Sequence, residues 1–186
     1  MMRSEIKKLV TLKYQGKMDR LKHIKGVVET AKSLAKTYGA NPRDAEIAAW
    51  FHDYTKYDSI EEQLKFVEDD LKIKYKDYTV MYHAISAANL LKSLYPIHDD
   101  IYYAIKYHVW GRPGMTLLEK IVLIADKIEP TRVYKHVDEL RKLAYQDLNL
   151  AVIEYLKDSI RYHEQKGVKV HDELKTIITN LKEQSE

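Results

Sequence analysis

The chain has 186 residues, of which 45% are hydrophobic and 32% charged, the balance of a globular protein large enough to bury a proper core. Its net charge of +3 comes from 31 basic and 28 acidic residues interspersed along the chain, too even a mixture to point to a nucleic-acid partner. The absence of cysteine excludes disulfides, thiolate zinc sites and cysteine nucleophiles together, so any metal must be held by nitrogen and oxygen.

No apolar run approaches the ~18 residues needed to span a bilayer, and Met-Met-Arg-Ser-Glu-Ile-Lys-Lys at the start lacks the apolar segment of a secretion signal. A cytosolic protein with no membrane partner is therefore expected. Ile6, Leu9 and Val10, with Tyr14, predict a short amphipathic helix ending near Gly16. Leu21, Val27, Val28, Ala31, Leu34 and Ala35 then recur at helical spacing, with Tyr38-Gly39 as the stop. Asn41 caps the next helix with Pro42 in its first turn, and Ala45, Ala48 and Ala49 lead into His52-Asp53.

Ser59 and Glu62 have the form of a capping box, after which Leu64, Val67 and Leu71 continue an exposed helix and residues 72–78 read as a polar loop. Val80, Ala84, Ala87, Leu91 and Leu94 make another stripe, closed by Pro96. Ile101, Ala104, Ile105 and His108 make the next, closed by Gly111-Arg112-Pro113-Gly114. Thr116 is placed to cap a helix over Leu117–Ile128, and helices start near Val137, Asp147 and Asp172. With no strand, repeat or linker pattern, the expected fold is all-α, a single-domain bundle of short helices.

Three dipeptides pair histidine with aspartate. His98-Asp99 and His171-Asp172 sit in polar surroundings and read as helix starts, whereas His52-Asp53 follows the apolar run of residues 48–51 and is followed by Lys56. A helix end aims neighbouring imidazole and carboxylate groups at one point, and both are ligands for zinc and non-haem iron. Asp126 lies in the most apolar helix of the chain. Burying an unpaired carboxylate costs several kcal/mol, so it needs a cation or a metal, and Lys127, about 100° round the helix, reads as a poor partner. His23 lies mid-helix near Gly26; a glycine there costs ~1 kcal/mol relative to alanine, which predicts a close approach by another backbone or a ligand. His83 and His108 border apolar stripes. Singly, each of these histidines reads as a core residue; with Asp53 and Asp126 they form a coherent ligand set.

The order His23, His52-Asp53, Asp126 on successive helices resembles the HD superfamily of metal-dependent phosphohydrolases. Arg20-Leu-Lys-His23, His52-Asp-Tyr-Thr-Lys56, His83, His108-Val-Trp-Gly-Arg-Pro-Gly-Met115, Leu118-Glu-Lys-Ile121 and Ala125-Asp-Lys-Ile-Glu-Pro-Thr-Arg132 are similar to the bacterial YqeK family, over residues 18–175 or so. Gly-Arg-Pro-Gly-Met and Ile-Glu-Pro-x-Arg are the specific strings. The resemblance implies symmetrical hydrolysis of diadenosine tetraphosphate to ADP on an iron centre. Thr55, where the family usually has alanine, and Trp110, where it commonly has a small residue, depart from the pattern and bear on substrate preference. Thr55-Lys56 lacks the acidic residues of the superfamily's guanosine tetraphosphate hydrolases. Gly111-Arg112-Pro113 does not reproduce the Gly-Tyr-Pro of its cyclic-dinucleotide phosphodiesterases.

Under that resemblance the metal ligands are His23, His52, Asp53 and Asp126, and Asp53, Lys56 and Asp126 carry catalysis. Arg20, Lys56, His83, His108, Trp110, Gly111, Arg112 and Arg132 contact the nucleotide, with Lys56, Arg112 and Arg132 neutralising polyphosphate charge. Three choices stay open: a second metal or phosphate oxygens at His83 and His108, adenine stacking or packing for Trp110, and a phosphate contact or a surface salt bridge for Arg132. A broader nucleotide phosphohydrolase and a non-catalytic nucleotide-binding regulator are the alternative functions, and a homodimer through the tyrosine-rich surface is open too.

Overall fold

In the computed structural model, which describes residues 2–184, the periodic segments of the sequence become helices, and no strand forms among the described residues. α1 (Met2–Lys13) buries Ile6 and Val10. α2 (Met18–Tyr38) buries a stripe from Leu21 to Ala35 and ends where Gly39 takes φ +72°, a conformation that costs a residue bearing a Cβ roughly 1–2 kcal/mol. α3 (Pro42–Phe51) begins with the Asn41 side chain accepting the Arg43 N–H at 3.0 Å. Its Ala45, Ala48 and Ala49 are wholly buried, and the small side chains let α2 and α3 pack closely along their length.

The expected helix through Leu64, Val67 and Leu71 is broken into α4 (Ile60–Leu64) and α5 (Asp69–Lys74), so the start of the expected 72–78 loop is helical. Two burials explain the break. Val67 turns into the core, and Glu68, in extended conformation, reaches the buried Lys106 ammonium at 2.7 Å. Ser59 accepts the Glu62 N–H, one half of the expected capping box, while the Glu62 carboxylate pairs with Lys65 instead.

α6 (Val80–Leu94) and α7 (Asp99–Lys106) pack side by side. α7 stops at Lys106, so His108 lies in the following turn rather than on the helix its stripe predicts. α8 (Leu117–Ile128) is the central element: Ile121, Val122, Leu123, Ile124 and Ala125 are wholly buried, and it contacts α2, α3, α7, α9 and α10. α9 (Val137–Ala144), α10 (Leu148–Gln165) and α11 (Glu173–Glu183) close the far side, starting close to the expected positions. Among the described residues no helix is long and apolar enough to cross a membrane.

A full capping box opens α8. The Thr116 hydroxyl accepts the Glu119 N–H, and the Glu119 carboxylate accepts the Thr116 N–H at 3.1 Å. Thr116→Ala should lower stability by ~1 kcal/mol in urea denaturation, the usual cost of such a cap. An unchanged midpoint would mean that packing alone fixes the start of this helix.

Candidate metal centre

Six side chains from five segments meet where α2, α3, α6 and α8 converge. His23 comes from the middle of α2, His52 and Asp53 from the end of α3, and Asp126 from α8. His83 comes from α6 and His108 from the turn after α7. Asp53 stands between two groups. Its Oδ2 lies 3.5 Å from His52 Nε2 and 3.8 Å from His23 Nε2, and its Oδ1 lies 3.0 Å from His83 Nε2 and 3.4 Å from His108 Nε2. Asp126 Oδ1 completes the first group, 3.2 Å from His23 Nε2 and 3.9 Å from His52 Nε2.

The outward nitrogens of three imidazoles are held by oxygens. His52 Nδ1 is 2.7 Å from the Ala49 carbonyl, His108 Nδ1 is 2.8 Å from the Ile105 carbonyl, and His23 Nδ1 is 3.0 Å from Glu129 Oε1. A proton on each Nδ1 leaves the Nε2 lone pair facing the centre, the tautomer that binds metal. His23 Nε2, His52 Nε2 and Asp53 Oδ1 are buried without a hydrogen-bond partner, a costly state for polar atoms that a metal relieves. His23, His52 and Asp126 offer ligand atoms within 4.8 Å of one another, as do His52, Asp53 and His108. The donor set therefore fits a divalent ion of borderline softness.

Electrostatics supports the same arrangement. Burial by itself would raise Asp53, but the facing imidazoles of His52, His108 and His83 hold its carboxyl well below the usual range. Asp126 is held low against burial by Lys127 and His23. Burial drives His108 down to about 3 and lowers His83 as well, so His108 stays neutral at pH 7.

Lys127 corrects an expectation. Although its Cα points about 100° away from Asp126 on an ideal helix, its Nζ lies 2.6 Å from Asp126 Oδ2, because the four-carbon side chain folds back across the helix surface. The cations placed at the site by sequence divide into two sets. Arg20 NH1 is 2.6 Å from Asp53 Oδ2, Arg132 NH2 is 2.6 Å from Asp126 Oδ1, and Lys56 Nζ is 3.2 Å from His83 Nε2, so all three border the centre. Arg132 is thus paired with a buried carboxylate and is no ordinary surface salt bridge. Arg112 lies elsewhere: its guanidinium grips Glu119 at 2.8 and 2.7 Å and lies over the Tyr103 and Tyr107 rings.

Gly111, at φ +88°, is likewise a turn residue whose Cβ would strike Met115. Trp110 stacks on His171 with ring centroids 5.6 Å apart, meets Tyr75 and Tyr78 edge-on, and donates to Glu173. Its ring is already packed. Thr55 donates to the His83 carbonyl at 2.7 Å and pairs with Ser86, anchoring α6 rather than facing a substrate.

Sequence reasoning assigned no role to Glu129. It is wholly buried, bonds His23, and accepts the Thr131 N–H and hydroxyl. Gly26 carried the signal: the close neighbour it makes room for is the Glu129 carboxylate, which a Cβ at position 26 would strike. A cavity of about 450 Å3 opens from Lys56, His108 and Asp126 towards Tyr78, Trp110 and Tyr155.

If Glu129 orients His23, then Gly26→Ala should weaken metal binding by ~10-fold or more, in line with loss of an outer partner of a ligand. Metal titration of the folded variant measures this. Unchanged affinity would show that His23 is held without Glu129.

Residues 20–131 match the HD domain family. A symmetrical bis(5'-nucleosyl)-tetraphosphatase of Bacillus subtilis is 43% identical over 155 residues, 82% of this chain and 83% of that one. One from Halalkalibacterium halodurans is 39% identical over 89% of this chain and 90% of the relative. The crystal structure of an HD superfamily hydrolase from Clostridium acetobutylicum, described as involved in NAD metabolism, superposes with a TM-score of 0.87 at 33% identity, covering 97% of both chains. With residues 20–131 matching its model and relatives 39–43% identical over most of both chains, the chain belongs to the HD domain family, among the relatives of the symmetrical bis(5'-nucleosyl)-tetraphosphatases.

Proposed function

We propose that this protein hydrolyses diadenosine tetraphosphate at the centre of its phosphate bridge, releasing two ADP. The observation that carries the reading is the convergence of four Nε2 atoms on the carboxylates of Asp53 and Asp126, beside a cavity bordered by cations. The names borne by its relatives support the substrate. His23, His52, Asp53 and Asp126 would hold a divalent metal, and iron is the ion we assign. When bound, such an ion supplies Lewis acidity that lowers the pKa of a water and draws charge from phosphoryl oxygens.

The chain's own groups do the rest. Asp53 offers one oxygen to each histidine pair, and the neutral His108 with His83, their Nε2 atoms 3.2 Å apart, suits a second ion better than a phosphate oxygen, which asks for a proton donor. Lys56 and Arg132, at the cavity mouth, take up charge on the polyphosphate and on the departing ADP. Burial lowers the Lys56 pKa against the pull of Asp53, so its ammonium is poorly solvated and the more strongly drawn to an anion. Arg112 drops out of this clamp. We read it as an enzyme of the cytosol whose partner is a small-molecule nucleotide, with the homodimer through the tyrosine-rich surface left open.

Turnover of diadenosine tetraphosphate in isotopically labelled water should give ADP as the sole nucleotide, with label on the terminal phosphate of one ADP in each pair. ATP plus AMP would place the attack at an outer phosphorus and overturn the reading; phosphate released from mononucleotides at comparable efficiency would favour a broader phosphohydrolase. Binding of nucleotide without metal-dependent turnover would favour a regulator.

Lys56→Ala should retain metal and lose ~10- to 100-fold in kcat, the worth of one charge-assisted contact of about 1.5–3 kcal/mol. Unaltered kinetic constants would reduce Lys56 to an ordinary charge at the rim.

A further inference from the structure

A second, smaller cavity of about 320 Å3 reaches the metal centre at His23, whereas the larger one reaches it at Lys56, His108 and Asp126; Arg132 borders both. The inner end of the smaller cavity is charged. There Arg20 and Arg132 lie against the Asp53 and Asp126 carboxylates, each at 2.6 Å. Its outer end is apolar and wet: Tyr57, Tyr134 and Val133 are 52%, 40% and 92% exposed. The Tyr57 hydroxyl lies 3.3 Å from Arg20 NH2 and ties the two ends together. Two guanidinium groups inside and two aromatic rings outside make an order of chemistry that a nucleotide matches, phosphates inward and base outward.

A tetraphosphate bridge cut at its centre has two equal arms, each ending in a nucleoside. With the reacting phosphorus against the metal ligands, one arm enters the larger cavity, and the other has to leave past a different ligand. His23 is the ligand that the smaller cavity reaches. Resting on the hydrolase reading above, we propose that the smaller cavity is the subsite for the second nucleoside diphosphate half, so that one chain binds both halves of its substrate and, after cleavage, two ADP. Arg20 and Arg132 contact the phosphates of this half, Tyr57 and Tyr134 flank its base, and Val133 forms the open edge. At about 320 Å3 the cavity lies at the small end of the roughly 300–1,000 Å3 range of ligand pockets. The second half is therefore held more openly than the first, and its ADP is the first to leave.

Equilibrium dialysis of labelled ADP against the metal-loaded protein tests the subsite directly. Saturation at two ADP per chain is expected, the second binding more weakly. Val133→Glu sets a negative charge at the outer edge and should weaken that second site by tenfold or more while the tighter site is kept; being 92% exposed, residue 133 tolerates the change without loss of the fold, which thermal melting checks. Tyr57→Phe, which keeps the ring and removes the hydroxyl at Arg20, should lower affinity at the same site and leave the other. Saturation at one ADP per chain overturns the proposal, as does a second ADP indifferent to both substitutions. The turnover assay answers separately for the reaction: ADP formed from diadenosine tetraphosphate by a protein that binds a single ADP would remove the subsite and keep the hydrolase.

Discussion

The buried carboxylate of Asp53 sets the terms for everything around it. An ionised carboxylate taken out of water costs many kcal/mol unless opposite charge and hydrogen bonds surround it. Asp53 is 2% exposed, and its compensation comes from every side: imidazoles from α2, α6 and the turn after α7, its neighbour His52, and the guanidinium of Arg20. Its backbone is fixed as well, since the Tyr14 hydroxyl donates to the Asp53 carbonyl at 2.6 Å. Sliding α2 against α3 or α8 would strand this charge, so the helix packing and the ligand geometry are one constraint.

The same logic spreads outward to a ring of cations. Asp126 and Glu129 are buried beside Asp53, and Arg20, Lys56, Lys127 and Arg132 stand against them. A net charge of +3 spread over the whole chain conceals this local concentration. A polyphosphate needs just such a concentration of fixed positive charge, because the field of a few ordered cations in a poorly solvated site exceeds that of many mobile ones in water. The loop after α8 is also clamped, with Arg141 donating to the carbonyls of Ile128, Glu129 and Arg132, so Arg132 on it keeps its position.

The Gly-Arg-Pro-Gly-Met string shows how a segment can shape the centre without facing it. Gly111 supplies the positive φ and the space for Met115, while Arg112 holds Glu119 in the first turn of α8. Together they fix the turn that carries His108 relative to the helix that carries Asp126. Trp110 joins the same framework through His171, Tyr75, Tyr78 and Glu173, and so ties the start of α11 to the wall of the larger cavity.

Local chemistry settled much of this protein in advance. Apolar spacing at 3.6 residues, the Asn41-Pro42 and Thr116 starts and the Gly39 stop are properties of neighbouring residues, and the helices formed where they point. That His23, His52, Asp53 and Asp126 would meet was legible because polar groups on apolar faces demand partners, whatever the fold. What the chain could not declare by itself was who those partners are. Glu129 beside His23, the split at Val67, Arg112 on Glu119 and Lys127 folded back onto Asp126 all depend on groups brought together from distant segments or on the room left around a flexible side chain. Periodicity reports which face of a helix is buried; only the packed structure decides what that face meets, because pairing energy depends on distances between residues that sequence separation does not measure.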